Sequence, residues 1–252
     1  MRVTVLVLLM LVTACACASA STPVVSGVFG SRPVIELPSE RPGGTPEISV
    51  LAEGRGPRTS PGDVVVAEVV IRGWSGDATP LNTYDAGRPL TVVFGRDDVP
   101  GIWERVLIGR RAGSRVMLVG PGRLAYGGAG AGQDDPLVLV FDILGGYPPD
   151  ARLVGEELPR LAGPARSGTL IDGSGRQVGP GSTVVVQYVA TRGPGREVVA
   201  SSRADGGPRA FVLKEGAVPS EWVEGLVGKR VGSRVAVTRG SVVTVIDIID
   251  LV

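Results

Sequence analysis

Pro61-Gly62-Asp63-Val64-Val65-Val66 returns as Pro180-Gly181-Ser182-Thr183-Val184-Val185, 119 positions later. The same spacing carries Pro89 to Pro208, Val99-Pro100 to Val218-Pro219 and Trp103 to Trp222. It also carries Gly113-Ser114-Arg115-Val116 to Gly232-Ser233-Arg234-Val235. A register held over that distance marks a duplicated unit rather than a chance likeness of β-rich segments. The register then breaks. Val140-Phe141-Asp142-Ile143 matches Val245-Ile246-Asp247-Ile248 at a spacing of 105, so the second unit is 14 residues shorter. The shortfall falls on the stretch around Gly120-Pro121-Gly122-Arg123-Leu124-Ala125-Tyr126-Gly127.

Within the first unit, Val64–Ile71, Leu90–Phe94, Arg115–Val119 and Leu137–Leu144 are short β-branched runs bounded by Gly, Pro or Asp, and are expected as strands. Only Ile102–Ile108 reads as a helix, with Pro100 just before it, Gly109 after it, and Ile102, Trp103, Val106 and Leu107 on one face. The second unit repeats this, with Ser220 as the expected N-cap and Trp222 and Leu226 at i, i+4. The fold class is therefore α+β: two tandem domains, each an antiparallel sheet packed on one short helix.

Composition agrees. The chain has 252 residues, enough for two domains of about 100 residues each. Its 38 Gly and 20 Pro suit a turn-rich β protein. A net charge of +1 without a basic run argues against nucleic acid as a partner. There is no histidine, which removes Ser-His-Asp and Cys-His nucleophile systems and imidazole metal sites. No acidic spacing favours a metal, and no phosphate loop is present, so no metal or cofactor is expected. Both cysteines, Cys15 and Cys17, lie at the start, which leaves the body without disulfides.

Residues 1–20 read as a signal peptide. Arg2 precedes the ten-residue apolar run Val3–Val12, too short for a membrane-spanning helix. Val12-Thr13-Ala14-Cys15 resembles the bacterial lipobox, which implies export, cleavage before Cys15, lipidation of Cys15 and anchoring on the outer side of the cell membrane. Ala18-Ser19-Ala20 offers the alternative of plain secretion. Residues 21–44, rich in Ser, Pro and Gly, then read as a tether, 45–147 as the first domain, 148–167 as a Pro-rich linker and 168–252 as the second domain.

The order of motifs is similar to that of the FKBP-type peptidyl-prolyl isomerases, in a tandem, lipobox-bearing arrangement like that of a group of actinobacterial lipoproteins. The first unit carries the resemblance in Gly62-Asp63-Val64-Val65-Val66, Val99-Pro100-Gly101-Ile102-Trp103, Leu124-Ala125-Tyr126-Gly127 and Leu139-Val140-Phe141-Asp142-Ile143. The second matches from Gly181 to Leu251 without the loop. The resemblance implies a pocket for X-Pro segments in the first unit. Trp103 is its floor, Leu90, Val92, Val99, Pro100 and Phe141 its walls, and Tyr126 its lip. Trp103, Tyr126 and Phe141 are the implied catalytic residues.

Three positions depart from the family pattern. Val69 stands where the family has a pocket Tyr. Pro80-Leu81 replaces a Phe-Asp pair, and Asp134-Asp135 replaces two apolar residues late in the loop. The second unit keeps a remnant of the pocket in Tyr188, Phe211, Val218, Pro219, Trp222 and Ile246, reads Val199-Ala200 for Phe-Asp, and has no lip. Turnover is therefore expected of the first unit alone. The expected partners are X-Pro-containing clients, macrolide ligands and, through the anchor, a membrane. The competing reading is a non-catalytic binding module or structural surface lipoprotein.

Overall fold

The protein is described by a computed structural model covering residues 22–76, 80–94, 99–125, 135–151 and 167–252. The signal peptide, Cys15, Tyr126 and most of the expected linker lie outside the described residues. In chain order, β1 (Val24–Ser26) and β2 (Val34–Glu36) precede β3 (Glu47–Ala52), β4 (Val64–Gly73), β5 (Leu81–Asn82), α1 (Thr83–Ala86) and β6 (Leu90–Val93). Then come α2 (Gly101–Leu107), β7 (Arg115–Pro121), α3 (Gly122–Ala125) and β8 (Pro136–Tyr147). The second copy holds β9 (Gly168–Ile171), β10 (Thr183–Arg192), β11 (Glu197–Ser201), β12 (Arg209–Val212), α4 (Ser220–Leu226), β13 (Arg234–Arg239) and β14 (Val242–Leu251).

Two six-stranded antiparallel sheets result. The first runs β3-β7-β8-β4-β5, with β6 also on β4; the second runs β9-β13-β14-β10-β11, with β12 also on β10. One end of β4 pairs with β6 (Val64↔Val93) and the other with β5 (Ile71↔Leu81), so a single long strand is covered along its edge by two short ones. Nearly all of β4 is buried, because both faces of the sheet are covered, and its sequence is accordingly a continuous apolar run rather than an alternation. Val65, Val69 and Ile71 point to a core shared with Trp103, Val106 and Leu107 of α2. The second core repeats this with Val184, Val186 and Leu226.

Paired glycines recur in both copies. Gly113 and Gly232 have φ of 91° and 92°, in the left-handed region that favours glycine. A Cβ on Gly54 would meet Ala112 O at 2.1 Å, and one on Gly173 would meet Ser233 N at 2.4 Å. The close crossing of the segment after β3 or β9 over the turn before β7 or β13 is thus built in the same way twice.

Three sequence expectations are corrected. Residues 21–44, expected as a tether, contain the β1–β2 hairpin folded against the back of the first sheet. Ile35 is buried there with Val70, Met117, Val119, Val138 and Val140, an apolar face that alternation on β7 and β8 leaves in need of cover. Ser220 is the first residue of α4, not its cap; Pro219 caps it without a side-chain hydrogen bond. The first copy has two helical turns besides α2: α1, capped by Asn82 Oδ1 accepting from Asp85 N–H, and α3.

The two copies touch. Val66, Val185 and Ala210 are buried together, with Leu144, Tyr147 and Ile249 against them. Tyr147 donates to Asp250 Oδ2 at 3.0 Å, Gln187 Nε2 to Pro149 O at 3.0 Å, and Val212 N–H to Gly87 O at 3.1 Å.

Candidate active site: one buried and one half-open aromatic cluster

In the first copy, Trp103 enters from the first turn of α2, fixed by its N–H donating to Pro100 O at 2.8 Å. Its ring meets Phe141 of β8 edge-on, with centroids 5.1 Å apart and planes at 76°. Val92 is buried in the same cluster, and Leu90, Val99, Ile102 and Phe94 pack against it. The structure therefore brings Trp103, Phe141, Leu90, Val92 and Val99 together. Pro100 is half-buried at the head of the helix. Leu81 joins this cluster as well, and Val69 is fully buried in it.

The carboxylates nearest in sequence face the other side of the sheet. Asp142 neighbours Phe141 on β8, and Glu68 neighbours Val69 on β4, so strand alternation turns both away from the cluster. Asp142 is fully buried and held by Arg115 at 2.6 and 2.7 Å, by the Tyr84 hydroxyl at 2.7 Å and by Gly30 N–H at 2.7 Å. Burial, then the hydrogen bond to Asp142, raises the Tyr84 pKa. Glu68 accepts from Thr83 Oγ1. Burial raises its pKa, which that hydrogen bond and Lys214 of the second copy only partly oppose. Asp135 accepts from Ser75 N–H at 2.9 Å and Ser75 Oγ at 2.6 Å and pairs with Arg41 at 3.3 Å. Burial pushes its pKa up, but the Ser75 bonds and Arg41 bring it below the usual value. It ties a chain crossing rather than lining the cluster.

The second copy places its six remnant residues together too. Tyr188 of β10, Phe211 of β12 and Trp222 of α4 form a triangle with centroids 5.4, 5.5 and 6.4 Å apart. Val218 and Ile246 are buried behind it, and Pro219 heads α4. All three rings are half-buried, whereas Trp103 is only 3% exposed. Burial raises the Tyr188 pKa and Asp205 adds to this, with Arg209 opposing. Sequence reasoning set this copy aside for its missing lip. The overlooked signal is three exchanges at matched positions: Val69 for Tyr188, Val92 for Phe211 and Phe141 for Ile246. They put one aromatic from a core strand in the first copy and two in the second.

Sequence reasoning also missed a cleft of about 390 Å³ beside α4, lined by Ser167, Glu221, Glu224, Lys229, Val235 and Thr238. Among the described residues no group of three or more His, Cys, Asp or Glu side chains is placed to hold a metal.

The sequence profile of the FKBP-type peptidyl-prolyl cis-trans isomerases matches residues 56–153 and again 174–241. A protein described as an FK506-binding protein of Streptomyces anulatus is 30% identical over 118 residues, covering 45% of this chain and 95% of that protein. Among solved structures, FkpA from Escherichia coli is similar at 27% identity and a TM-score of 0.36, covering 41% of this chain and 48% of FkpA. The chain thus spans about half the length of FkpA. The three FKBP domains of wheat FKBP73 align over 82% of this chain and 94% of theirs, at 15% identity and a TM-score of 0.34. The two profile matches together take up well over half of the sequence and fall one on each sheet, so the chain belongs to the FKBP-type peptidyl-prolyl cis-trans isomerase family.

Proposed function

We propose that the protein is an exported, lipid-anchored prolyl isomerase or folding helper whose first copy, residues 45–147, acts on X-Pro bonds of client polypeptides. The reading divides the chain as signal peptide, N-terminal segment, first domain, linker and second domain, each domain organised around its Trp-led helix. The half-buried Leu90, Val99 and Pro100, backed by the buried edge-on pair of Trp103 and Phe141, are the observation that carries it. An X-Pro bond turns over a barrier of about 20 kcal/mol, and no covalent bond is broken. The twisted amide has lost its resonance and is less well served by water than the planar one. An apolar aromatic wall therefore favours it over the ground state. This suits a chain without histidine. Macrolides, as rigid apolar ring systems, would compete for the same wall.

A second reading is a binding module that grips Pro-containing segments without turnover. Leu81 against the first cluster supports it, since no carboxylate stands there. The half-buried rings of Tyr188, Phe211 and Trp222 supply a ready apolar platform. A protease-coupled isomerisation assay on the full mature chain, over a panel of residues preceding Pro, separates the two. Turnover above the buffer rate that Trp103→Ala abolishes supports the isomerase. Peptide binding with a buffer-level rate supports the module.

A further inference from the structure

We propose that the outer face and tip of the β1–β2 hairpin rest on the lipid bilayer, so that the chain is oriented on the membrane rather than merely tethered to it. The proposal rests on the lipid-anchor reading. Val25 and Ile35 face the sheet, so the alternate positions Val24, Ser26, Val34 and Glu36 face outward. Val24 and Val34 are each 58% exposed, and at the tip Val28 is 73% and Phe29 41% exposed. Single exposed apolar side chains are ordinary, but here four of the eleven large ones found exposed among the described residues fall within eleven positions.

The exposure is enforced. Arg115 donates to Gly27 O at 2.8 Å and to Val28 O and Ser31 O at 3.0 Å, while Gly30 N–H donates to Asp142. A buried ion pair thus holds the turn from beneath and leaves Val28 and Phe29 no route back onto the apolar sheet. The length of chain ahead of the hairpin points to lipid as the occupant. Only eight residues separate Cys15 from Val24, at most about 30 Å of extended chain. An acylated Cys15 would keep the tip within reach of the headgroups, where a Phe and Val cluster inserts favourably.

The test uses the full acylated chain in phosphatidylcholine vesicles, with Phe29→Trp read as the emission added to the three native tryptophans. Bromine-labelled acyl chains should cut the added emission at least twofold. Val198→Trp, exposed on β11, should be unaffected. Detergent phase partitioning of the same sample reads the anchor separately. Partition into detergent with no quenching at position 29, or with equal quenching at 198, overturns the hairpin contact and leaves the anchor standing. Such a result would direct the patch to a protein partner. Failure to enter the detergent phase defeats the anchor and this inference together.

Discussion

Replacing Arg115 by Met should both destabilise the first copy and release the N-terminal hairpin. The side chain is 5% exposed and its partner Asp142 is fully buried, so the substitution strands an ionised carboxylate among apolar strands. Breaking a buried pair from one side costs about 3–5 kcal/mol. With a urea slope near 2.5 kcal/mol per molar, the unfolding midpoint should fall by about 1.5 M. The three carbonyls of Gly27, Val28 and Ser31 lose the guanidinium at the same time, and Val28 O keeps only Ser31 N–H, so amide exchange over residues 24–36 should accelerate well beyond that of β8. Arg234→Met breaks the matching pair with Asp247 in the second copy. It should cost a similar amount and leave exchange at 24–36 unchanged. Arg115→Met/Asp142→Asn should recover much of the lost stability, because the stranded charge is gone, yet leave the hairpin loose. A cost under about 1 kcal/mol for Arg115→Met, with unaltered exchange at Gly30, would refute the claim that this pair holds the hairpin.

Other expectations are shorter. The raised Glu68 pKa means that the folded state binds a proton more tightly than the unfolded one, so stability falls as pH rises through the unfolded value of 4.5 toward the higher folded one. Glu68→Gln should raise the melting temperature at neutral pH and flatten that pH dependence; the second copy already carries Gln187 there, accepting from Ser202 Oγ. Leu81→Asp should speed isomerisation about ten- to a hundredfold with little change in peptide affinity, if a hydrogen bond from a charged group worth roughly 1.5–3 kcal/mol is what the natural pocket lacks. Unchanged turnover would remove that account of the position. Cys15→Ala should shift the chain out of the detergent phase; wild-type chain found wholly in the medium and beginning at Ser21 would contradict lipidation. Gly113→Ala forces a side chain into φ 91° and within 3.2 Å of Gly54 Cα, and should cost at least about 1 kcal/mol in thermal unfolding.

The duplicated register made the sheets legible, because β-branched runs between Pro-Gly and Gly-Ser turns leave few other conformations for β4, β7 and β8. Trp103 and Phe141 were legible for the same reason: each holds a fixed place relative to those runs. The hairpin was not. Three-residue strands carry almost no periodicity, and the partner that orders Val34-Ile35-Glu36 is the back face of a sheet whose residues lie 35 to 105 positions downstream. The half-open triangle of Tyr188, Phe211 and Trp222 is hard to see in the sequence. The missing loop is a visible subtraction, whereas an aromatic gained at Tyr188 or Phe211 reads as ordinary strand filling. Contacts such as Val212 N–H to Gly87 O join residues of no sequence pattern and follow only from docking one sheet on the other.

That docking has a consequence for communication between the copies. The segment Leu213–Val218 does two jobs. Val218 backs the second aromatic cluster, while Lys214 and Ala217 pack on Gly87 at the left-handed cap of α1, where a Cβ would meet them at 2.5 and 3.0 Å. Arg88 Nε reaches back across the junction to Ala217 O at 3.3 Å. The segment that backs the second cluster and the cap of α1 that follows Leu81 are thus in direct contact across the junction. By linkage, whatever factor one site imposes on the affinity of the other is returned unchanged. The second copy can then bear on the first through contact alone, whether or not it turns over an X-Pro bond.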